Sequence, residues 1–535
     1  MPELEIDNQS VRVPEGSTIL DAARKLGIDI PTLCFLKGHS PRTSCMVCLV
    51  KVKGEDRFLP SCAAKAADGM QVESESDEVR LMRRAALELL LSDHLGDCLT
   101  PCHVACPAQM NIPVMIRQIA AGSLADAIAT VKERIALPAV LGRICPAPCE
   151  KACRRGQGDA SVGICLLKRY VADVDLAREV PFLPPRQAES GKKVAIVGAG
   201  PTGLAAAYYL LQQGHACTVF DEHDEPGGML RYGIPASALP RDVLDAEIAI
   251  IKKLGAEFRM QTKIGEKIPV GGLQDEFDAV FLAIGEIKGG SANAIGLKVT
   301  ARGIEADART YETALGGIFA GGSAVRPSKL AVRAVAEGHA AATAIGQYLS
   351  GASVTGSRRP FSTHIGRLQE GEMEIFMADA SEAERVVPAG GDDAGFSDQE
   401  ARLEAARCLH CDCRKAEACK LRQYSEAYEA GRSRYKGQRK LFQQDCRHPD
   451  IIYEPGKCVV CGMCIRIADS AREPLGLTFI GRGFDVKVGV PFNHSIAEGL
   501  RDVAAQCAAA CPTGALAMKD SSPSEPQEAR AEEPA

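Results

Sequence analysis

No apolar run in this 535-residue sequence approaches the ~20 residues that a membrane-crossing helix requires. The N-terminal stretch MPELEIDNQSVRVPEG lacks the basic-then-apolar layout of a secretory signal, so a cytoplasmic protein is expected. A formal charge of -6 gives no reason to expect nucleic acid or an anionic membrane as a partner. Nothing resembles a nucleophilic triad, a general-base pair or a substrate-phosphate loop, and no tandem repeat is visible. Cysteine is missing altogether between Cys217 and Cys408.

Elsewhere cysteine is abundant: the chain has 22, in tight groups at two-, three- and four-residue steps. Disulfide-stapled scaffolds are short, secreted and much richer in cysteine, whereas clustered thiols in a reducing compartment read as metal ligands. With 46% hydrophobic and 25% charged residues the chain can bury real cores. Its length suggests three to five domains at roughly 100–200 residues each. Residues 1–77 read as short strands and turns with a helix from Thr18 to Leu26. Residues 78–185 read as helical, with VRLMRRAALELLLSDH and IPVMIRQIAAGSLADAIATVKE apolar at three- and four-residue intervals. A proline-rich linker, PFLPPRQAESGKK, leads to a dinucleotide-binding unit over 186–352 that opens on the strand KVAIVGAG. A polar linker (353–400), a cysteine segment (401–440), a second cysteine domain (441–519) and an acidic, proline-rich tail expected to be disordered (520–535) complete the chain.

Cys34, Cys45, Cys48 and Cys62 form C-x10-C-x2-C-x13-C. Small residues in PRTSCMVCLVKV let backbone N–H groups approach the sulfurs, a lever on reduction potential. A structural zinc site would be more compact. The spacing resembles the [2Fe–2S] domain of the large iron–sulfur subunit of NADH dehydrogenase (complex I) and of iron-only hydrogenases.

Cys98, Cys102 and Cys106 follow in SDHLGDCLTPCHVACPAQMNIP, and Cys145, Cys149 and Cys153 in GRICPAPCEKAC. Four-residue steps can mark one helix face, but Pro101, Pro146 and Pro148 argue for loops around clusters instead. Further on, Gly198-Ala199-Gly200-Pro201-Thr202-Gly203 lies between a strand and the helix LAAAYYLLQQG, and Asp221 ends the next strand. The glycines permit a tight turn at a pyrophosphate, and Asp221 is placed to accept from ribose hydroxyls. By themselves these residues leave FAD and NAD both open.

GRICPAPCE, this fingerprint and PGGMLRYGIP together resemble the glutamate synthase small subunit and the N-terminal half of dihydropyrimidine dehydrogenase, over residues 95–350. The resemblance implies FAD, with Gly198, Gly200, Pro201, Thr202, Gly203, Asp221, Gly228 and Arg231 around it. Gly321, Gly322 and Ser323 of GIFAGGSA would join them, Ser323 standing where the family has aspartate. It also implies two [4Fe–4S] clusters, one on Cys98, Cys102 and Cys153 and one on Cys106, Cys145 and Cys149. Each then lacks a ligand. His94, with three residues between it and Cys98, is expected to complete the first; complex I and iron-only hydrogenases use a histidine at the corresponding place. Cys165 is expected to complete the second. The family's NAD(P)H domain is missing: only about 30 residues separate DAVFLAIG from GIFAGG, against the ~100 or more such a domain needs.

Cys408, Cys411, Cys413 and Cys419 form a compact four-thiolate set, read as an iron–sulfur site with zinc as the alternative. Cys458, Cys461 and Cys464 with the remote Cys511 of CPTGAL repeat the bacterial ferredoxin device. They resemble the two-cluster ferredoxin module of complex I and of formate dehydrogenases. One of that module's sites is lost here, since Ala468 replaces a ligand and Cys507 remains as a remnant. Cys217 and Cys446 read as packed thiols.

These readings give a multidomain α/β and α+β protein: an N-terminal β-grasp-like [2Fe–2S] ferredoxin, a helical two-cluster domain, a Rossmann-like FAD domain and a C-terminal ferredoxin-like [4Fe–4S] module. The expected cofactors are FAD, one [2Fe–2S] and four [4Fe–4S] clusters. The expected role is an electron-transfer oxidoreductase subunit. It would relay electrons between a NADH-dehydrogenase-type flavoprotein or ferredoxin and a catalytic metal-cofactor subunit, such as a formate dehydrogenase or hydrogenase. The alternatives are a stand-alone FAD-dependent reductase of a small molecule and a redox sensor.

Overall fold

The computed structural model describes every residue except 56, 266–267, 288–295, 392, 436 and 520–535. The tail expected to be disordered, and the middle of the short connection after β-strand 279–282, therefore lie outside the described residues. The chain forms two compact units, and neither is continuous in sequence. One takes Met1–Leu99, Pro360–Ala378 and the described residues from Asp412 onward; the other takes Thr100–Arg359 and Asp379–Cys411.

The first unit opens with a β-grasp-like layer. Strands β1 (Glu3–Ile6), β2 (Gln9–Arg12), β3 (Leu49–Val52), β4 (Phe58–Pro60) and β5 (Gln71–Glu73) form one sheet in the order β2-β1-β5-β3-β4. β1 and β5 run parallel and the other pairs antiparallel. A helix, Ile19–Lys25, starts where Thr18 and Asp21 form a reciprocal capping box, and it buries Ile19, Leu20, Ala22 and Ala23 against the sheet residues Leu4, Ile6, Val50 and Val72. The helix Asp77–Ser92 follows, with Arg83 fully buried and donating to the Leu49 carbonyl at 3.0 Å.

Of the two long helical runs expected, the first forms the single helix Asp77–Ser92; in the second unit, six short α-helices lie between Pro101 and Leu176. The run from Ile112 breaks at Gly122, whose φ of +77° suits a helix C-terminus, so Ile112–Ala120 and Leu124–Lys132 are separate. A parallel sheet follows: β6 (Lys193–Val197), β7 (Ala216–Phe220), β8 (Glu257–Arg259), β9 (Ala279–Leu282) and, after a small hairpin of β10 (Val299–Thr300) and β11 (Gly303–Ile304), β12 (Ile318–Ala320). Its order is β12-β9-β6-β7-β8, the arrangement of a Rossmann half-domain. β9 and β12 pair in register, Val280 with Ile318 and Leu282 with Ala320. The strands that flank the shortened connection are therefore joined directly.

The stretch 353–400, expected as a linker, is instead packed structure. In the first unit Glu372–Met377 is helical, and buried Glu372 pairs with Arg439 and accepts from the Phe442 amide at 2.7 Å. In the second unit a Ser397–Glu400 capping box starts the helix Asp398–Ala405, and Tyr170 donates to Asp398 at 2.9 Å. The first unit closes with β13 (Ile451–Tyr453) antiparallel to β16 (Leu516–Met518), a hairpin of β14 (Thr478–Ile480) and β15 (Lys487–Gly489), and helices Met463–Ser470 and Ala504–Ala510. No helix among the described residues is long and apolar enough to cross a membrane.

The helix Ala331–Leu349 lies so close to Pro201–Gln212 that a Cβ at Gly338 would fall 2.3 Å from the Thr202 carbonyl oxygen and 2.9 Å from the Ala205 methyl. At Gly346, in the same helix, the nearest obstacle is only the end of the Gln213 side chain. Gly338→Ala is therefore expected to destabilise the protein by about 1–3 kcal/mol through overpacking. Gly346→Ala should be neutral or slightly stabilising through its helix propensity. Thermal unfolding of the two variants side by side checks this.

Candidate metal centres and dinucleotide site

In the first unit Cys34, Cys45, Cys48 and Cys62 are all buried at the end of the sheet, in the turns around β3 and β4. Thr43 and Met46 take positive φ, which bends the loop around the sulfurs. The sulfurs meet in two pairs. The Cys45 thiol donates to Cys34 and, with the Cys45 and Ser44 amides, brings Cys34 down to about 5; Cys62 does the same for Cys48, bringing it to about 7. Two adjacent thiol pairs are the division that a two-iron cluster requires.

A second set in this unit joins residues far apart in sequence. Cys98 and His94 precede Leu99, while Cys413 and Cys419 come after Asp412, yet Cys413 and Cys419 both lie within the field of Cys98. Backbone links hold the two parts together: Leu95 N–H donates to the Gly456 carbonyl at 2.7 Å, the Thr363 hydroxyl to the Gly96 carbonyl at 2.7 Å, and the Thr513 hydroxyl to the Lys457 carbonyl at 2.8 Å. Thr363 also bonds the Cys98 sulfur, at 3.3 Å. Gly514 is glycine because a Cβ there would stand 2.3 Å from the Cys413 sulfur. Burial and the charge of Lys457 push His94 down to about 4, so its imidazole is neutral, and its buried Nδ1 has no hydrogen-bond partner. A neutral imidazole with an unused buried nitrogen fits a metal ligand.

The third set in this unit is Cys458, Cys461, Cys464 and Cys511. Burial pushes Cys458 up to about 11 and Cys461 to about 12, and each feels the charge of the others. Ala468, where a further ligand would stand, is fully buried, and the Cys507 thiol donates to the Cys464 carbonyl at 3.6 Å. Lys415 donates to the carbonyls of Ala508, Ala509 and Cys511, tying this set to the loop of Cys413.

The second unit holds two further sets, each lining a cavity. One is lined by Cys102, Cys153, Cys408 and Cys411. The other is lined by Cys106, Cys145, Cys149 and Cys165 with Lys168. The Cys165 thiol bonds Cys145 and brings it down to about 6, while burial takes Cys149 up to about 12. Burial alone would lower Lys168, but the four thiols around it raise it instead. Among the described residues, no three such side chains converge on a point that would seat a single metal ion.

The structure lines one cavity with Cys102, Cys153, Cys408 and Cys411 and sets Cys413 and Cys419 within the field of Cys98, a grouping that differs from the one expected from the sequence runs. Cys408 and Cys411 join Cys102 and Cys153 because buried Arg155 donates to the Arg407 carbonyl at 2.6 Å, and buried Arg407 pairs with Glu404 at 2.9 Å; Glu404 also accepts from the Gly163 amide at 2.7 Å and the Val386 amide at 2.8 Å. Cys413 and Cys419 belong with His94 and Cys98. Two residues that spacing rules missed are Lys168 and Lys457, buried cations beside thiol sets.

At the dinucleotide turn, Gly198 to Gly203 lead from β6 into Pro201–Gln212. A Cβ at Gly203 would lie 1.9 Å from the Gly198 carbonyl oxygen. Gly228, at φ +51°, approaches the Gly200 backbone so closely that its own Cβ would stand 2.7 Å from the Gly200 Cα. Asp221 accepts from the Ala199 amide at 2.6 Å and from the His223 amide at 2.9 Å, so it braces the turn and keeps spare lone pairs for a ribose. Gly322, at φ +67°, stands against Thr202, and Ser323 donates to the Ser328 carbonyl at 3.3 Å. Arg231 is drawn away from the turn, donating to the Pro226 carbonyl at 2.7 Å and pairing with Asp245 and Glu225.

Family models match three parts of the chain: a 2Fe-2S iron-sulfur cluster binding domain over residues 2–77, dihydropyrimidine dehydrogenase domain II, 4Fe-4S cluster, over 95–180, and an NAD(P)-binding Rossmann-like domain over 196–255. The chain is 42% identical over 206 residues to the NADP(+)-dependent formate dehydrogenase subunit beta of Moorella thermoacetica, the match covering 35% of this chain and 29% of that one. It is 42% identical over 188 residues to the NADPH-Fe(3+) oxidoreductase subunit beta of Geobacter sulfurreducens, covering 35% and 28%. It is 36% identical over 204 residues to the glutamate synthase (NADPH) small chain of Bacillus subtilis, covering 36% and 41%. The chain thus spans less than half the length of each. The likeness to glutamate synthase small subunits and to dihydropyrimidine dehydrogenase read from the motifs is borne out. The chain combines a 2Fe-2S domain, a 4Fe-4S domain of the dihydropyrimidine dehydrogenase type and a Rossmann-like dinucleotide-binding domain, and is similar to subunits of oxidoreductases.

Proposed function

We propose that this chain is an electron-transfer, iron–sulfur flavoprotein subunit of a multi-subunit oxidoreductase. It would relay electrons between a NADH-dehydrogenase-type flavoprotein or ferredoxin and a catalytic subunit of the formate dehydrogenase or hydrogenase kind. The observation that carries this is the gathering of nineteen cysteines and one histidine into five four-residue sets, four of the sets assembled from separate stretches of chain. Clusters and FAD would supply one- and two-electron chemistry, and the protein's part is to place and tune them.

In this reading Cys34, Cys45, Cys48 and Cys62 hold a [2Fe–2S] cluster. Four [4Fe–4S] clusters are held by His94, Cys98, Cys413 and Cys419; by Cys102, Cys153, Cys408 and Cys411; by Cys106, Cys145, Cys149 and Cys165; and by Cys458, Cys461, Cys464 and Cys511. The turn Gly198–Gly203, Asp221, Gly228 and Gly321–Ser323 bind FAD. Val332, in the first turn after that site, also lines the cavity of Cys106, which supports a short path between the two. The short connection between β9 and β12, about 30 residues against the ~100 or more a nicotinamide domain needs, favours delivery of electrons by a partner protein.

Serine variants of the anaerobically purified full chain test the grouping. Cys102→Ser and Cys408→Ser should each remove the same [4Fe–4S] signal in electron paramagnetic resonance, and Cys98→Ser and Cys419→Ser should each remove a different one. Loss of one common signal from Cys408→Ser and Cys413→Ser would refute it. Dithionite should reduce the purified chain fully, whereas NADPH alone should leave the flavin absorbance unbleached; rapid bleaching by NADPH would contradict the reading.

A further inference from the structure

Lys168 lies three residues after Cys165 on the helix Ile164–Leu176 and is buried, its side chain forming part of the wall shared by Cys106, Cys145, Cys149 and Cys165. Its ammonium donates to the Leu141 carbonyl at 3.2 Å. The nearby carboxylate, Glu150, is already committed: one oxygen pairs with Arg385 at 2.7 Å and the other accepts from the Cys165 amide at 2.8 Å. The other buried or half-buried lysines beside thiol sets are balanced differently. Lys457 pairs with Glu454, and Lys415 donates to three carbonyls at the end of a helix. Lys168 faces four sulfurs.

A buried ammonium is costly unless negative charge sits close to it. A thiolate-ligated iron–sulfur cluster carries net negative charge and gains one more with each electron it accepts, so a fixed cation beside it favours the reduced state. Hydrogen bonds and charge around the sulfurs are the protein's means of setting a cluster's potential. We infer that Lys168 is a positioning and tuning residue that raises the reduction potential of the cluster held by Cys106, Cys145, Cys149 and Cys165, making that centre the favoured electron acceptor beside the flavin-binding helix. This rests on reading that cavity as a [4Fe–4S] site.

The test is a redox titration of the full chain followed by electron paramagnetic resonance, with iron measured in each preparation. In Lys168→Met, one [4Fe–4S] signal should move to lower potential by at least a tenfold change in its reduced-to-oxidised ratio, about 59 mV for one electron. The remaining signals should stay in place, and Lys168→Arg should stay near wild type. Arg385→Met gives an independent route, because it frees the Glu150 carboxylate to offset Lys168 without altering a ligand; the same signal should shift in the same direction. Unmoved midpoints in both Met variants with full iron, or an equal shift in Lys168→Arg, would overturn the inference. If Cys149→Ser and Cys165→Ser lose no iron, the cavity is not a cluster site, and it is the underlying reading that falls.

Discussion

A thiol taken out of water becomes a poor thiolate unless something positive awaits it, and this fold buries twelve of its 22 thiols and half-buries the rest. Burial raises Cys102, Cys149, Cys413, Cys419, Cys458, Cys461 and Cys464 above the ordinary thiol range. Metal binding offsets that penalty directly, because the ligands give up their protons as they bind. Loading and folding are then one process. Two of the sets, those of Cys98 with Cys419 and of Cys102 with Cys411, link stretches that lie hundreds of residues apart in sequence, so loading either would also close a long loop.

Within the first unit the thiol sets are neighbours. Cys34, Cys45, Cys419 and Cys461 share one apolar core with Leu33, Leu87 and Met463. Arg466 donates to the Cys34 carbonyl at 3.0 Å, fixing the Cys458 module against the N-terminal sheet. Dense, dry packing between redox sites keeps them at fixed separation and limits reorganisation. In the second unit the thiol cavities are walled by Ile112, Ile116, Val162 and Ile164, and one of them reaches Val332, in the first turn of the helix Ala331–Leu349.

Much of this was legible in the residues. The strand–turn–helix of Lys193 to Gln212, the sheet around Leu49, the helix capped by Thr18 and the shortened connection after Leu282 all follow from local pattern, because local hydrogen bonding and periodicity decide them. The membership of the thiol sets did not follow. Cys408 lies beside Cys153 because of the buried Arg155–Arg407–Glu404 network, a long-range contact with no local signature. Gly338 has no motif either; it is glycine because another helix backbone stands 2.3 Å from where its Cβ would be. Lys168 carries no ligand spacing, and only burial beside four sulfurs marks it.

Iron, acid-labile sulfide, zinc and flavin measured together on the anaerobically purified full chain address the central claim most directly. One [2Fe–2S] and four [4Fe–4S] clusters require about eighteen irons per chain, with matching sulfide and about one FAD. A chain that holds fewer than about twelve irons, or that carries zinc in their place, would contradict the account.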